Sequence, residues 1–209
     1  MCVYRKYTQK LLPQQAKRSG KVLLTSIITF TSVLFAMENN GRGAKAIGMA
    51  NAFVAFADNI WAIDYNPAGL TRLHRIEASA FVIPEQFGLA ELRTGALGIA
   101  IPLSFATMGC TIEQFGFDLF KETEWRTGVG IKVDRSVSIG ASLNLHYLEI
   151  LKYGFSRCAS LDGGILAQVS ERISIGFNLQ NIVQTILGSM GDRYSQVAAF
   201  GVCWFPIRI

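Results

Sequence analysis

A chain of 209 residues can form one domain of ordinary size; half of its residues are hydrophobic and only 17% are charged. The net charge of +5 belongs to residues 1–36, which hold Arg5, Lys6, Lys10, Lys17, Arg18 and Lys21 and no acid; taking these six from 20 leaves 14 basic against 15 acidic residues in 37–209. No later Lys/Arg patch interleaves with aromatics, which excludes nucleic acid as a partner, and no apolar run after the N-terminus reaches the ~18 residues of a spanning helix.

Lys17, Arg18 and Lys21 precede Val22–Ala36, fifteen uncharged residues rich in Leu, Ile, Val, Phe and Thr. Basic, then apolar, then small is the order of a secretory signal peptide over 1–36, with Ala36 before the cleavage point and Leu34 a bulky residue three positions from it. The alternative is a single N-terminal anchor helix, for which the run is short. Cys2 lies in this leader, and Cys110, Cys158 and Cys203 are too widely spaced for a metal site and odd in number for a disulfide framework, so they read as small apolar strand residues.

Residues 37–71 contain an Ala-rich stretch, Gly41 to Leu70, unlike anything after it. Good helix formers with Ile47, Ala50, Val54 and Ala57 on one stripe predict a helix over Ala44–Ala57, ended near Asn59. Asn66, before Pro67, is steered away from helical geometry, so Asn66-Pro67-Ala68-Gly69 predicts a sharp turn.

From residue 72 the chain alternates with period two. Trp125, Val129, Ile131 and Val133 oppose Glu124, Arg126, Gly128, Gly130 and Lys132. Val137, Ile139, Ala141, Leu143, Leu145 and Tyr147 oppose Ser136, Ser138, Gly140, Ser142, Asn144 and His146. Leu161, Gly163, Ile165, Ala167 and Val169 oppose Asp162, Gly164, Leu166, Gln168 and Ser170. Ile173, Ile175, Phe177 and Leu179 oppose Ser174, Gly176, Asn178 and Gln180. Weaker strands cover 73–83, 92–103, 105–117 and 194–205, with short connections at 134–135 and 171–172 and longer ones at 151–157 and 181–193. Glu122 and Glu124, flanking Thr123, read as loop residues.

A soluble β-sandwich and a transmembrane β-barrel both satisfy this alternation. Strand lengths near or above ~9–11 residues favour the barrel, as do apolar sides almost free of charge facing sides of Ser, Gly, Asn and Gln. Aromatics near strand ends (Trp125, Tyr147, Tyr153, Tyr194, Trp204) fit an interfacial girdle. Ser142, Asn144 and His146 share a face, yet residues two apart on a strand merely project side by side; with no partner base or oxyanion donor they read as polar lumen wall, and no enzyme, metal or cofactor is expected. His74, beside Arg72 and Arg75, stands alone, and Gly41-x-Gly43 does not follow a strand, so it is no dinucleotide loop.

Gly43-Ala44-Lys45-Ala46-Ile47-Gly48-Met49-Ala50, Ala52-Phe53-Val54-Ala55, Ala57-Asp58-Asn59, Ala62 and Asn66-Pro67-Ala68-Gly69-Leu70 resemble the N-terminal region of a family of bacterial outer-membrane barrels that includes the FadL-type long-chain fatty-acid transporters and the PorV/PorQ-like proteins of type IX secretion. Leu161-Asp162-x-Gly164, Ile175-Gly176-Phe177 and Gln180-Asn181 are similar to a late strand pair of that family, and the matches together cover about 50 residues. Asn51 stands where the family usually has Gly or another small residue. The resemblance implies an all-β, antiparallel transmembrane barrel with a short helical N-terminal hatch over 37–71 and strands over 72–209. It also implies residence in the cell outer membrane and a part in moving hydrophobic, fatty-acid-like molecules or in protein secretion with secretion-system partners. It places Gly48, Met49, Phe53, Phe56, Trp61, Asn66, Pro67 and Gly69 in the hatch, with Phe53, Phe56 and Trp61 as ligand contacts.

About eight strands fit after Thr71, and an eight-stranded barrel has an interior that side chains fill. A thirty-residue hatch needs a wider barrel, so the chain is expected to be a truncated or split member of that family whose strands stop before the barrel closes. A gene fragment of such a barrel and a secreted β-sandwich binding module are the alternatives.

Overall fold

The period-two alternation resolves into an antiparallel meander whose buried face is the polar one. The computed structural model describes residues 41–183, 186–187, 192–193 and 195–206; the expected signal peptide and Tyr194 lie outside them. Strands β1 (Glu77–Ile83), β2 (Thr94–Pro102), β3 (Thr107–Phe117), β4 (Phe120–Lys132), β5 (Val137–Ile150), β6 (Gly154–Ser170), β7 (Ile173–Gln180) and β8 (Val197–Trp204) form one sheet in sequence order. Among the described residues the sheet is not closed: there β1 pairs only with β2, and β8 only with β7. A two-residue ribbon, Ile186–Leu187 with Asp192–Arg193, stands in the β7–β8 connection. One end of the sheet carries only short connections (103–106, 133–136, 171–172), and the other carries the two longest (84–93, 181–196).

Two sequence expectations are corrected. Residues 151–157 do not form a long loop, because β6 starts at Gly154 and its outward Phe155 and Arg157 pair with Glu149 and Tyr147. Glu122 and Glu124 are not loop residues: β4 begins at Phe120, and cross-strand partners on β3 and β5 continue the ladder through them. Runs of polar and aromatic residues without clean alternation hid both extensions.

The expected helix over Ala44–Ala57 is also shortened. Helix α1 spans only Ala44–Gly48, since Ala50 and Asn51 take left-handed φ of 51° and 61° and turn the chain. Asn tolerates that region better than most residues; here its side-chain Oδ1 accepts from the Tyr65 hydroxyl at 2.9 Å. Helix α2 (Ala62–Tyr65) follows, then Asn66 in extended geometry, then a 3-10 helix over Pro67–Arg72 with Pro at its first position, where the missing N–H is not needed. Among the described residues no helix is long and apolar enough to cross a membrane, which says nothing of strands.

These N-terminal turns pack on the concave, even-numbered face of β4–β7. The apolar core gathers Phe53, Ile60, Trp61, Ile63 and Leu70 of the N-terminal segment against Leu73, Ala96 and Ala100, with Phe81 partly buried beside it. Burying each such side chain is worth about 1.5–3 kcal/mol. On the opposite, convex face Leu97, Trp125, Leu143, Leu145, Ile165, Phe177, Phe200 and Val202 stand exposed, while Ser142, Asn144, Ser160, Asp162, Ser174 and Asn178 are buried inside. The usual sidedness of a sheet is thus inverted.

Candidate functional site

The N-terminal segment, residues 41–72, meets the sheet along a close-packed seam. Its floor is set by strand register. Gly130, Gly140 and Gly164 are direct partners across β4, β5 and β6, so three adjacent strands lack side chains at one level. Into that level drops Asn66-Pro67-Ala68. A Cβ on Gly140 would lie 2.3 Å from Pro67 C and Ala68 N, and one on Gly164 2.1 Å from Asn66 Oδ1. Gly176, paired with Gly201 on β8, plays the same part for Val54, whose carbonyl oxygen would be 2.3 Å from an added Cβ. Backbone meets backbone here, which only glycine permits.

Asn66 pins the turn. Its fully buried amide donates to the carbonyls of Val54 at 2.9 Å and of β6 Ile165 at 3.0 Å, and its oxygen accepts from Ala68 N at 3.2 Å. Further links run from hatch to wall: Thr71 Oγ1 to Ser138 Oγ (2.9 Å), Ser174 Oγ to the Ala55 carbonyl (2.7 Å), Gln180 Nε2 to the Asp64 carbonyl (3.0 Å) and Ile60 N to Glu77 Oε1 (3.0 Å). Arg72 donates to the Ala55 carbonyl at 3.2 Å, to the Phe56 carbonyl and to Gln168 Oε1 at 3.0 Å. Buried polar groups need such partners.

A charged cluster adds a second fastening. Arg42 and Asp64 from the hatch meet Glu113, Glu124 and Arg126 from the wall. Arg42 bonds Glu113 through Nε and Glu124 through Nη2 at 2.5 Å, and Arg126 bonds Glu124 through Nε at 2.7 Å. Asp64 Oδ1 lies 3.2 Å from Arg126 Nε and 3.7 Å from Arg42 Nε, yet neither of its oxygens receives a hydrogen bond. Both guanidinium groups spend their aligned donors on the glutamates. Two cations against three carboxylates leave one carboxylate in excess, and burial pushes Asp64 up to about 6 against the pull of Arg126 and Arg42. Around the cluster, His146 Nδ1 lies 3.5 Å from Glu124 and its Nε2 3.1 Å from Ser160 Oγ; Asn144 donates to Ser160 and, at 2.7 Å, to Asp162, whose other oxygen accepts from Asn181 N at 2.8 Å.

The predicted site residues fall in three groups. Asn66, Pro67 and Gly69 are buried in the seam, and a Cβ on Gly69 would strike the Ala57 carbonyl. Phe53 and Trp61 are buried in the core, edge-on to Tyr65 (5.4 Å) and Phe81 (6.0 Å); Met49 and Phe56 are half-buried, Phe56 lying 5.6 Å from Phe205 with Lys45 Nζ 4.3 Å above its ring. Gly48 is exposed, with open space where a Cβ would be. Trp61, Arg42, Asp64, Glu113, Glu124 and Arg126 line a tight space between the N-terminal segment and the sheet. The charged cluster escaped sequence reading; the signal for it was Glu124 and Arg126, two charges on a face otherwise of Ser, Gly and Asn. Among the described residues no group of three or more His, Cys, Asp or Glu is placed to hold a metal ion.

Comparison with family models, with curated proteins and with solved structures finds no match to this chain.

Proposed function

We propose that this chain is the wall and hatch of an outer-membrane β-barrel of the FadL or PorV/PorQ type, exported by its N-terminal signal, that acts in the passage of hydrophobic molecules or of secreted protein. The observation that carries this reading is the inverted sidedness: an apolar convex face against a polar, glycine-rich concave face filled by its own N-terminal segment. Water offers no reason to expose Leu97, Leu143, Ile165, Phe177 and Val202 together, whereas lipid does. Dimensions agree. Outward residues of β5 stay apolar from Val137 to Tyr147, ten residues or about 34 Å at ~3.4 Å each, which at a ~40° tilt spans about 26 Å, close to the ~25 Å apolar band of such barrels. Long connections at one end and short ones at the other fit the same picture. Unpaired edges in lipid cost several kcal/mol per group, so membrane residence requires that β1 and β8 each gain a strand partner.

The test is Leu143→Arg, in the middle of the convex face. A lipid-facing Leu143 makes the change cost about 2–4 kcal/mol, so the variant should fail to accumulate in the outer-membrane fraction and lose any heat-modifiable gel migration. A soluble module with water on that face would tolerate arginine at a half-exposed position; normal yield and unchanged melting of L143R would overturn the reading.

A further inference from the structure

The convex face of β4–β6 changes character across a single row. Trp125, Leu145 and Ala159 are register partners in one row; Thr123, Tyr147 and Arg157 form the next, and Lys121, Glu149 and Phe155 the one beyond. The first two rows line a depression of ≈ 630 Å³ in which Ala159 leaves the floor low beside Trp125 and Leu145. Arg157 stands at its polar rim, its guanidinium carbon 5.3 Å from the centroid of Phe155, which stacks on Tyr147 at 5.9 Å. The ring pair orients the guanidinium by a cation–π contact while Arg157 as a whole stays exposed. Glu149, one row away, is the register partner of Lys121.

We infer that this depression binds a phosphate-bearing anionic lipid, with Arg157 gripping the headgroup and Trp125, Leu145 and Ala159 seating an acyl chain; the inference rests on the membrane reading above. A planar guanidinium matches phosphate oxygens bidentately, and the hydroxyls of Thr123 and Tyr147 occupy the same row for the remaining oxygens. An apolar floor continuous with the apolar band has no use for a free anion but serves a lipid whose tail continues along the strands. The site also lies toward the end carrying the long connections, where the band meets its polar boundary, the level at which amphipathic aromatics and headgroups coincide.

The test uses the full chain carrying Trp204→Phe, reconstituted into phosphatidylcholine bilayers containing equal fractions of brominated phosphatidylglycerol or brominated phosphatidylcholine. Trp61 is buried, so quenching reports on exposed Trp125. Wild-type Arg157 should give an apparent preference of about fivefold for the anionic lipid, the worth of one basic side chain at a charged interface. Arg157→Gln should abolish the preference while leaving quenching by phosphatidylcholine intact, and Arg157→Lys should restore part of it. Equal quenching by both lipids overturns the site and leaves the membrane reading standing; no quenching by either overturns both. Loss of the preference on adding inorganic phosphate would assign Arg157 to a soluble anion instead and overturn the lipid assignment.

Discussion

Gly140→Ala adds one methyl group to a strand and should nonetheless release the hatch. The new Cβ would sit 2.3 Å from Pro67 C and Ala68 N and 2.7 Å from Pro67 O, where carbon contacts relax near 3.5–4.0 Å. All three obstacles are backbone, so no side chain can rotate away. Nor can β5 retreat, being bonded to β4 and β6 along its length. The Asn66–Pro67 turn must therefore back off by more than 1 Å, by the difference between those distances. That movement breaks the Asn66–Ile165 bond (3.0 Å) and the Thr71–Ser138 bond (2.9 Å). Overpacking costs about 1–3 kcal/mol and each lost bond about 1 kcal/mol, for a total of roughly 3–5 kcal/mol against hatch docking. Hydrogen–deuterium exchange across residues 41–72 is the assay: G140A should exchange there faster by a factor of 100 or more at the corresponding amides, by about 1.4 kcal/mol per tenfold, while strand amides stay protected. Gly95→Ala, in β2 with open space at its Cβ, is the matched control. Equal hatch protection in G140A and G95A would refute the backbone contact between hatch and wall.

Two further changes probe the same seam from the hatch side. Asn66→Ala should cost about 3 kcal/mol or more, because the carbonyls of Val54 and Ile165 and the N–H of Ala68 lose their partner inside a buried site; increased protease cleavage within 41–72 reads this out, and Asn66→Asp should be no better, since a carboxylate cannot donate. Asp64 carries a pH dependence of defined sign. Its pKa is raised from 3.8 to about 6 in the docked state, so the docked hatch binds a proton that the released hatch does not. Docking is favoured below about pH 4 and that contribution is lost as pH rises through 6. Asp64→Asn should flatten the change in hatch exchange between pH 4 and 7, and an unaltered slope would assign it to other groups.

Sheet content and facing were legible because alternation is local. From Ser136 to Tyr147 the two faces were assigned by counting in twos, and β5 keeps that parity, with Ser138, Ser142 and Asn144 buried and Ile139, Leu143 and Leu145 exposed. Asn66 was legible for a similar reason: the residue before proline has few conformations open to it, and it is extended here. The α1 extension failed because Ala-rich sequence favours helix only until tertiary packing prefers a turn, as Ala50 and Asn51 show. The charged cluster was not legible because Arg42, Asp64, Glu113 and Glu124 meet only after the meander has set its register, at separations no sequence window spans. The glycine row escaped for the same reason: Gly130, Gly140 and Gly164 looked like three unremarkable strand glycines until pairing aligned them.

The contacts of the N-terminal segment with the sheet include a backbone seam at Asn66–Ala68 against β4–β6 and an ionic cluster of Arg42 and Asp64 with β3 and β4. The seam leaves no space for a Cβ at Gly140 or Gly164 and holds no titrating group, so its strength does not depend on pH. The ionic cluster has one carboxylate more than it has guanidinium groups, with unbonded oxygens on Asp64, and is the contact whose strength conditions can change.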